Sequence, residues 1–386
     1  MQVASVTKPA IAELQTDDTH LPEHPVLNCA VSRASPQLCA HADRPPEPLS
    51  PMPSEFSLID RFFARRASAR SSVASAASGI ALGIGDDCAL LAPRANETLA
   101  ISTDMLVEGR HFFPDIDPEA LGHKALAVNL SDLAAMGAQP QAFTLAFALP
   151  KADEVWLAAF SEGIFTLADR HGCELIGGDT TSGPLNLCLT VFGSVPPQAA
   201  LRRDAAQPGD DIWISGTLGD ARAVLGVLRG EWLADAGDTA TFRRALERPE
   251  PRIALGLALR GVARAALDIS DGLAGDLMHI LKHSNVHATV DVDAVPRSNE
   301  LRRLPAEIQR RCTLTGGDDY ELCFTAPASA RASVEAAGRE AGVAVTRIGT
   351  ISASETVADQ PAIHWRDAAG TPLTLTLQGF DHFHAD

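Results

Sequence analysis

The chain is poor in positive charge and lacks long apolar runs. It has 32 lysine and arginine residues against 49 aspartate and glutamate residues, for a formal net charge of −17 over 386 residues. Because this negative field repels a phosphate backbone, we expect no nucleic acid among its partners. No stretch reaches the roughly 18 consecutive apolar residues of a membrane helix, and the N-terminus lacks a basic segment followed by an apolar one. We therefore expect a cytoplasmic protein that neither spans a membrane nor is secreted.

Signature motifs of several common protein classes are also missing. The seven cysteines include no C-x-x-C pair, which argues against a zinc knuckle or a disulfide framework and favours small, reduced, buried side chains. The chain contains no G-x-x-x-x-G-K-[ST], no G-x-G-x-x-G after a strand, no H-R-D or D-F-G and no G-x-S-x-G. These absences exclude a Walker-type NTPase and disfavour a dinucleotide fold, a protein kinase and a serine hydrolase.

Composition divides the chain into three parts. Residues 1–53 are scattered with proline and show no sustained helix or strand period, so we expect a disordered leader. The remainder mixes strand and helix patterns in two blocks, a predicted N-terminal domain over 54–200 and a predicted C-terminal α/β domain over 201–386. The Ala/Ser-rich stretch 67–78 is typical of a flexible connection.

Hydrophobic periodicity predicts the individual elements. The predicted helices cover 54–63, 118–136, 153–171, 220–229, 251–263 and 273–282. The predicted strands cover 83–91, 99–104, 143–149, 174–176, 185–195, 212–215 and 288–292, with another ending at residue 268. One more helix and strand are expected after residue 324, which makes the fold class α/β (α+β).

Aspartates recur beside Gly, Ser or Thr at the ends of these apolar runs. Any one of them could make an Asx-turn or cap a helix, and Asp271, before Gly272 and the helix that starts at Leu273, is the clearest example. Together they are expected to meet, because loops at the same end of neighbouring strands converge, and clustered carboxylates either raise their pKa values or bind hard cations. Oxygen ligands suit Mg²⁺ better than zinc or copper. The set comprises Asp86, Asp87, Asp104, Asp132, Asp179, Asp268, Asp271, Asp318 and Asp319.

Three further features lie near these aspartates in the sequence. Asn129 is three residues before Asp132 on a predicted helix, so the two side chains share a face. Gly177 and Gly178 follow a short apolar run, where glycine lets backbone N–H groups approach a phosphate closely. His111, downstream of Asp104, could contact a ligand anion or could be a solvated loop residue.

A series of segments, taken in order along the chain, resembles the bacterial thiamine-monophosphate kinases. These kinases belong to the superfamily that includes aminoimidazole ribonucleotide synthetase. The resemblance covers about residues 54–383, and the run from Asn129 to Gly137 with the terminal Phe-Asp-His-Phe is typical of these kinases in particular. The matching segments are 55–59, 83–91, 102–104, 124–137, 176–181, 268–273, 316–322 and 379–383.

The resemblance implies a two-domain aminoimidazole ribonucleotide synthetase-like (PurM-like) fold, with N-terminal domains that pair in a homodimer so that their strands form a barrel. It also implies ATP-dependent phosphorylation of thiamine monophosphate to thiamine diphosphate, by direct in-line transfer with several Mg²⁺ ions. The implied metal ligands are Asp87, Ser102, Thr103, Asp104, Asp132, Asp179, Asp268 and Asp271, of which Asp87, Asp132 and Asp271 would be catalytic. The implied ATP contacts are Gly178, Asp179, Arg203 and Ser270, and the implied contacts to thiamine monophosphate are His111, Asp318 and Phe380.

Two positions depart from the family pattern, and several relatives compete with this interpretation. Ser182 stands where close relatives often have Arg, and Asp318 stands where they often have Glu, one methylene longer. A purine-pathway synthetase and a non-catalytic Mg²⁺- or nucleotide-binding relative are the alternatives. A selenophosphate synthetase is disfavoured because residues 54–79 contain neither Cys nor Lys, and a hydrogenase maturation factor because the chain ends in Asp386 rather than Cys.

Overall fold

The computed structural model describes residues 55–64, 79–92, 94–354, 360–375 and 377. The predicted leader over 1–53, the predicted connection over 67–78 and Phe380 lie outside these ranges. Within them, no helix combines the length and the apolar character that crossing a bilayer requires. The five cysteines in the described part of the chain form no disulfide bond, and three of them are buried, whereas Cys88 is exposed.

Strands and helices are interspersed along the described chain, as the sequence predicts. The strands are β1 (Ile80–Leu82), β2 (Leu90–Leu91), β3 (Thr98–Val107), β4 (Gln139–Leu149), β5 (Glu174–Ser182), β6 (Asn186–Val195), β7 (Asp210–Ser215), β8 (Ala266–Asp268), β9 (Val286–Asp291), β10 (Leu322–Pro327), β11 (Val345–Ala353), β12 (Ile363–Arg366) and β13 (Pro372–Leu373). The helices are α1 (Glu55–Leu58), which continues as a π-helix (Ile59–Ala64), α2 (Pro118–Ala135), α3 (Glu154–His171), α4 (Asp220–Leu228), α5 (Ala236–Glu247), α6 (Ile253–Ala258), α7 (Leu273–Ser284), α8 (Ala306–Thr315) and α9 (Arg331–Ala341). Short 3₁₀ turns cover Leu301–Arg303 and Ala328–Ala330.

Two large β-sheets contain most of the strands. The first has the strand order β3-β6-β4-β5, antiparallel except for the parallel pair β4 and β5. The second has the order β13-β12-β9-β11-β7-β10-β8, antiparallel except for the parallel pair β12 and β9. The largest hydrophobic cluster combines side chains from both sides of residue 200, such as Leu133 and Phe324. The division into domains near residue 200 therefore stays a prediction.

Helix α2 is the buried helix on which the candidate site is built. Asp117 caps it by accepting a hydrogen bond from the Ala120 N–H at 3.0 Å, and Pro118 occupies its first turn. Helix α3 crosses it closely, because a Cβ on Gly163 would lie 1.9 Å from the carbonyl oxygen of Glu119. Since nearly every side chain of α2 is buried, this helix has little freedom to shift.

The predicted elements agree with the structure where the periodicity is long. The predicted helices over 118–136, 153–171, 220–229 and 273–282 are confirmed with small differences at their ends. The predicted helix over 251–263 is wrong in its second half, because α6 ends at Ala258 and Arg260 turns away to donate to the Gly137 carbonyl oxygen at 2.5 Å. Helices α5 and α8 were not predicted.

Three predicted strands have clearly different bounds in the structure. The segment 83–91 is mostly loop, with only Leu90–Leu91 forming a strand. Strand β5 continues past its predicted end at residue 176 as far as Ser182, and β3 extends beyond Asp104 to Val107. The aspartates of these strands thus do not all lie at strand ends, contrary to the expectation from sequence.

Candidate active site

A cavity of about 580 Å³ brings together carboxylates from both sides of residue 200. It lies where the C-terminal part of β3, one face of α2 and the loops after β8 and α8 meet. The sequence-predicted residues that line it are Asp104, His111, Asp132, Asp268, Ser270, Asp271 and Asp318. These side chains converge from two strands, a helix and three loops, rather than only from the ends of neighbouring strands as the sequence suggested.

Strand β3 and helix α2 position the first two carboxylates. Alternation along β3 turns Ser102 and Asp104 toward α2. The Ser102 hydroxyl donates to Asp132 Oδ2, and the Asp104 N–H donates to Asn129 Oδ1 at 3.1 Å. Asn129 and Asp132 both contact β3, which confirms that they share a face of the helix.

The next two carboxylates follow strand β8. Asp268 ends this strand and is buried, and its Oδ2 accepts a hydrogen bond from the Ser131 hydroxyl at 2.7 Å. Asp271 lies in the following loop, and its N–H donates to Asp276 Oδ2 at 3.0 Å. The N-cap of α7 is Gly272, without a side-chain cap bond. Gly272 rather than Asp271 therefore occupies the N-cap position of this helix.

Burial and mutual repulsion make this cluster costly to ionise. Burial, with the nearby Asp132 charge, raises the pKa of Asp104 to about 6 and the pKa of Asp268 to about 7. Burial also raises the pKa of Asp132, although the Ser102 hydrogen bond and the Arg203 charge oppose that rise. Asp276, which the sequence reasoning did not single out, has its pKa raised to about 7, again chiefly by burial.

The chemistry of this cluster fits a hard divalent cation. Its donors are carboxylate and hydroxyl oxygens, and a cation would relieve the repulsion that raises their pKa values. In the described ranges, no three His, Cys, Asp or Glu side chains are grouped so that they could hold a metal ion by themselves. Mg²⁺ is commonly held by one or two carboxylates together with water and substrate phosphate oxygens, which is the arrangement that these separated carboxylates allow.

A second wall of the cavity contains His111 and Asp318. The Val107 N–H donates to His111 Nδ1 at 2.9 Å, so the neutral imidazole carries its proton on Nε2. Asp318 Oδ1 accepts hydrogen bonds from Lys124 Nζ at 2.9 Å and from the Tyr320 hydroxyl at 3.3 Å. Lys124 lines the cavity and was not among the sequence-predicted site residues. Its one sequence signal is a lysine within a helix that is mostly apolar.

A third wall of the cavity is cationic, and its residues were also not predicted from the sequence. Arg222, on α4, and Arg311, on α8, line the cavity. Their guanidinium carbons lie 4.9 and 5.6 Å from the centre of the Trp232 ring. Both arginines also form ion pairs with Glu231, at 2.6 and 3.2 Å. The cavity thus presents carboxylates on one side and fixed positive charge on another, as a polyanion bound with a metal ion requires.

Several predicted ligands lie elsewhere. Thr103 points to the opposite face of β3, where its hydroxyl lies 2.8 Å from that of Thr190. Asp87 and Asp179 are exposed and do not line the cavity. Arg203 does not line it either, but its charge lowers the pKa of Asp132.

The remaining sequence features have structural explanations. Gly178 is required where β4 and β5 approach, because a Cβ there would lie 1.8 Å from the Leu145 carbonyl oxygen. Asp319 is partly buried and accepts the Gly219 N–H with both carboxylate oxygens, at 2.9 and 3.0 Å, which anchors the start of α4. Ser182 is exposed at the end of β5 and does not line the cavity.

Comparison with known proteins gives consistent matches. The chain matches the family models AIR synthase related protein, N-terminal domain, over residues 85–195, and AIR synthase related protein, C-terminal domain, over residues 207–360. It is 49% identical over 332 residues to the thiamine-monophosphate kinase of Salmonella typhimurium, which covers 85% of this chain and 98% of that protein.

Solved structures agree with these sequence matches. Thiamine-monophosphate kinase from Stenotrophomonas maltophilia K279a aligns with a TM-score of 0.73 and 47% identity, covering 83% of this chain and 98% of that one. AaThiL complexed with AMPPCP and TMP aligns with a TM-score of 0.64 and 29% identity, covering 85% and 97%. The fold class predicted from the sequence is thereby confirmed.

Proposed function

Because this chain belongs to the thiamine-monophosphate kinase family and is a kinase, we propose that it transfers the terminal phosphoryl group of ATP to thiamine monophosphate. The products are thiamine diphosphate and ADP. The observation that carries the proposal is the convergence of Asp104, Asp132, Asp268 and Asp271 in one cavity that also has a wall of arginines. The similar AaThiL, complexed with AMPPCP and TMP, supports this pair of substrates.

The acceptor chemistry suits a site rich in aspartate. A phosphate monoester has a second pKa of about 6, so its oxygen is already anionic near neutral pH and needs no general base. The difficulty is to bring two anions together in line, which calls for positive charge and fixed orientation. We propose direct transfer without a phosphorylated enzyme.

The residues that would hold Mg²⁺ in the cavity are Asp104, Asp132, Asp268 and Asp271. When bound, Mg²⁺ neutralises phosphate charge and orients phosphate oxygens. The chain's own part is to fix these carboxylates before substrate arrives, through the Ser102 hydroxyl on Asp132 and the Ser131 hydroxyl on Asp268. We retain Asp87, Ser102, Thr103 and Asp179 as proposed ligands on the family resemblance alone.

We assign the two substrates to two sets of residues. Ser270, with Gly178, Asp179 and Arg203, is proposed to contact ATP, and His111, Asp318 and Phe380 to contact thiamine monophosphate. The Asp318 N–H donates to the Ser270 carbonyl oxygen at 2.8 Å, so the loops that carry these two residues are fixed to each other. This contact supports the alignment of donor and acceptor that a direct transfer needs.

Product identification tests the proposal. The protein is incubated with ATP, Mg²⁺ and thiamine monophosphate, with thiamine and aminoimidazole precursors as alternative acceptors, and products are identified by mass. We expect thiamine diphosphate from thiamine monophosphate alone. Turnover of an aminoimidazole precursor in its place would refute the assignment. A phosphorylated enzyme trapped by rapid quench would refute the direct route.

We also propose a homodimer formed through the outer face of the first sheet. On β3 this face exposes Ile101, Met105 and Val107, at 59%, 56% and 38% of their full accessible areas. A row of exposed apolar side chains on a sheet marks a surface that associates. Light scattering at micromolar concentration is expected to give twice the 40.7 kDa chain mass, and a monomer mass would contradict the dimer.

A further inference from the structure

Lys124 is a buried cation at the meeting point of the two elements that we assign to thiamine monophosphate. Its side chain is 2% exposed, whereas that of its partner Asp318 is 30% exposed. The ammonium donates to Asp318 Oδ1 at 2.9 Å and to the His111 carbonyl oxygen at 3.2 Å. A single group on helix α2 thus holds both the loop after β3 and the loop after α8.

The surroundings of Asp318 show why such a holding group matters. Asp318 and Tyr320 both have positive φ angles, of 66° and 51°, a conformation that costs free energy in residues other than glycine. Main-chain hydrogen bonds from Asp318 to Ser270 and from Tyr320 to Ile269, both 2.8 Å long, fix the backbone of this loop. The side-chain direction of Asp318 is fixed separately, by the bonds from Lys124 and Tyr320 to Oδ1.

The geometry leaves the other carboxylate oxygen for the ligand. Both hydrogen bonds that reach the Asp318 carboxylate from the described residues end on Oδ1, and Asp318 lines the cavity. Lys124 therefore balances the charge of Asp318 and orients it while Oδ2 can accept from substrate. An ammonium only 2% exposed acts through the residues that it touches.

We infer that Lys124 is a positioning residue for thiamine monophosphate, acting through Asp318 and the His111 loop. The inference rests on the proposed function. Among the described residues, the hydrogen bonds of the Lys124 ammonium go to Asp318 and to the His111 carbonyl oxygen rather than to the ATP-assigned residues or the carboxylate cluster, so its loss should weaken the acceptor site selectively. Hydrogen bonds to charged groups contribute enough for about a tenfold to hundredfold rise in KM for thiamine monophosphate.

The test compares Lys124→Met with Lys151→Met, a matched change at a lysine that is 75% exposed and paired with Asp153. KM for each substrate and kcat are measured, with calorimetric binding of thiamine monophosphate and thermal melting. We expect Lys124→Met to raise KM for thiamine monophosphate tenfold or more, with KM for ATP changed less than about threefold. Lys151→Met should match the wild type.

A double-mutant cycle separates positioning from folding. Asp318→Asn and Lys124→Met/Asp318→Asn should have KM values for thiamine monophosphate within about threefold of each other, because most of the Lys124 effect passes through Asp318 and only the bond to the His111 carbonyl oxygen differs between them. The double variant leaves no unpaired carboxylate, so it answers the question even if Lys124→Met alone does not fold. Additive effects in the cycle, or an equal rise in both KM values, would overturn the inference. A wild-type protein that neither binds nor phosphorylates thiamine monophosphate would instead refute the proposed function, and the inference with it.

Discussion

The substitution Asp132→Asn distinguishes two effects of the carboxylate cluster, namely its destabilisation of the folded protein and its contribution to catalysis. The carboxyl groups of Asp104 and Asp268 have pKa values of about 6 and about 7, so both are ionised at pH 8. Their ionisation lowers the free energy of unfolding. A rise from 3.8 to about 6 for Asp104 corresponds to about 3 kcal/mol. Burial is the larger cause and repulsion by the Asp132 charge is the second, so part of this free energy is recovered when the Asp132 charge is removed. Asp132→Asn should therefore raise the melting temperature of the ligand-free protein at pH 8.

The same substitution should abolish most of the activity. A carboxylate that helps to hold a divalent cation in a partly buried site interacts with it by at least about 4 kcal/mol. Its loss corresponds to a fall in kcat/KM of about a thousandfold. The Asn side chain keeps an oxygen that can accept the Ser102 hydrogen bond, so the helix and strand should remain in register.

Steady-state kinetics at saturating Mg²⁺ and thermal melting at pH 8 and pH 4 check both parts. The control is Asp115→Asn, at a side chain that is 75% exposed and 3.5 Å from Arg243. At pH 4 the neighbouring carboxyls are protonated in the folded state, so the stabilisation should vanish. A kcat/KM within tenfold of the wild type refutes the metal role. A lower melting temperature at pH 8 refutes the repulsion argument.

Two further perturbations test the packing and the pH dependence away from the cavity. Gly163→Ala should destabilise the protein by about 3 kcal/mol in chemical denaturation, because its Cβ would lie 1.9 Å from the Glu119 carbonyl oxygen. Asp220→Asn should stabilise the protein above pH 6 and leave it unchanged below pH 4, as measured by the free energy of unfolding against pH. Burial raises the pKa of Asp220 from 3.8 to about 6, so the folded state binds the extra proton and loses stability as pH rises through that window.

Both substitutions have a control for which the expected change in stability is either zero or opposite in direction. Glu162→Ala, on the exposed side of α3, should leave stability nearly unchanged, and an equally stable Gly163→Ala would show that the helices can separate. The Arg331 hydrogen bond and charge hold the pKa of Asp211 below its usual range, so this carboxylate stabilises the fold at neutral pH and loses that contribution on acidification. Asp211→Asn should thus destabilise at pH 7, and a stabilisation there would contradict the assigned signs.

The local hydrophobic pattern was sufficient to predict those helices and strands whose sequence signals lie in consecutive residues. The long apolar period of α2, with Pro118 in its first turn and Gly137 after its end, predicts that helix closely. The pairing of Asn129 with Asp132 on one helix face follows from the same period. Helices α5 and α8 could not be predicted from the sequence because few of their side chains are buried. They therefore lack the apolar repeat on which such a prediction depends.

The family and the kinase activity could also be predicted from the sequence, because ordered motifs along one chain identify a relative without knowledge of its geometry. The geometry of the site could not. Asp104 and Asp268 are far apart in the chain, and they meet because β3, α2 and β8 pack together, a consequence of long-range burial that no local window contains. The same packing decided that Gly178 lies at the close approach of the paired strands β4 and β5, that Thr103 faces away from the cavity and that Lys124 reaches Asp318. A sequence specifies which charged side chains exist, but only the folded chain determines which of them share a low-dielectric space and so alter one another's chemistry.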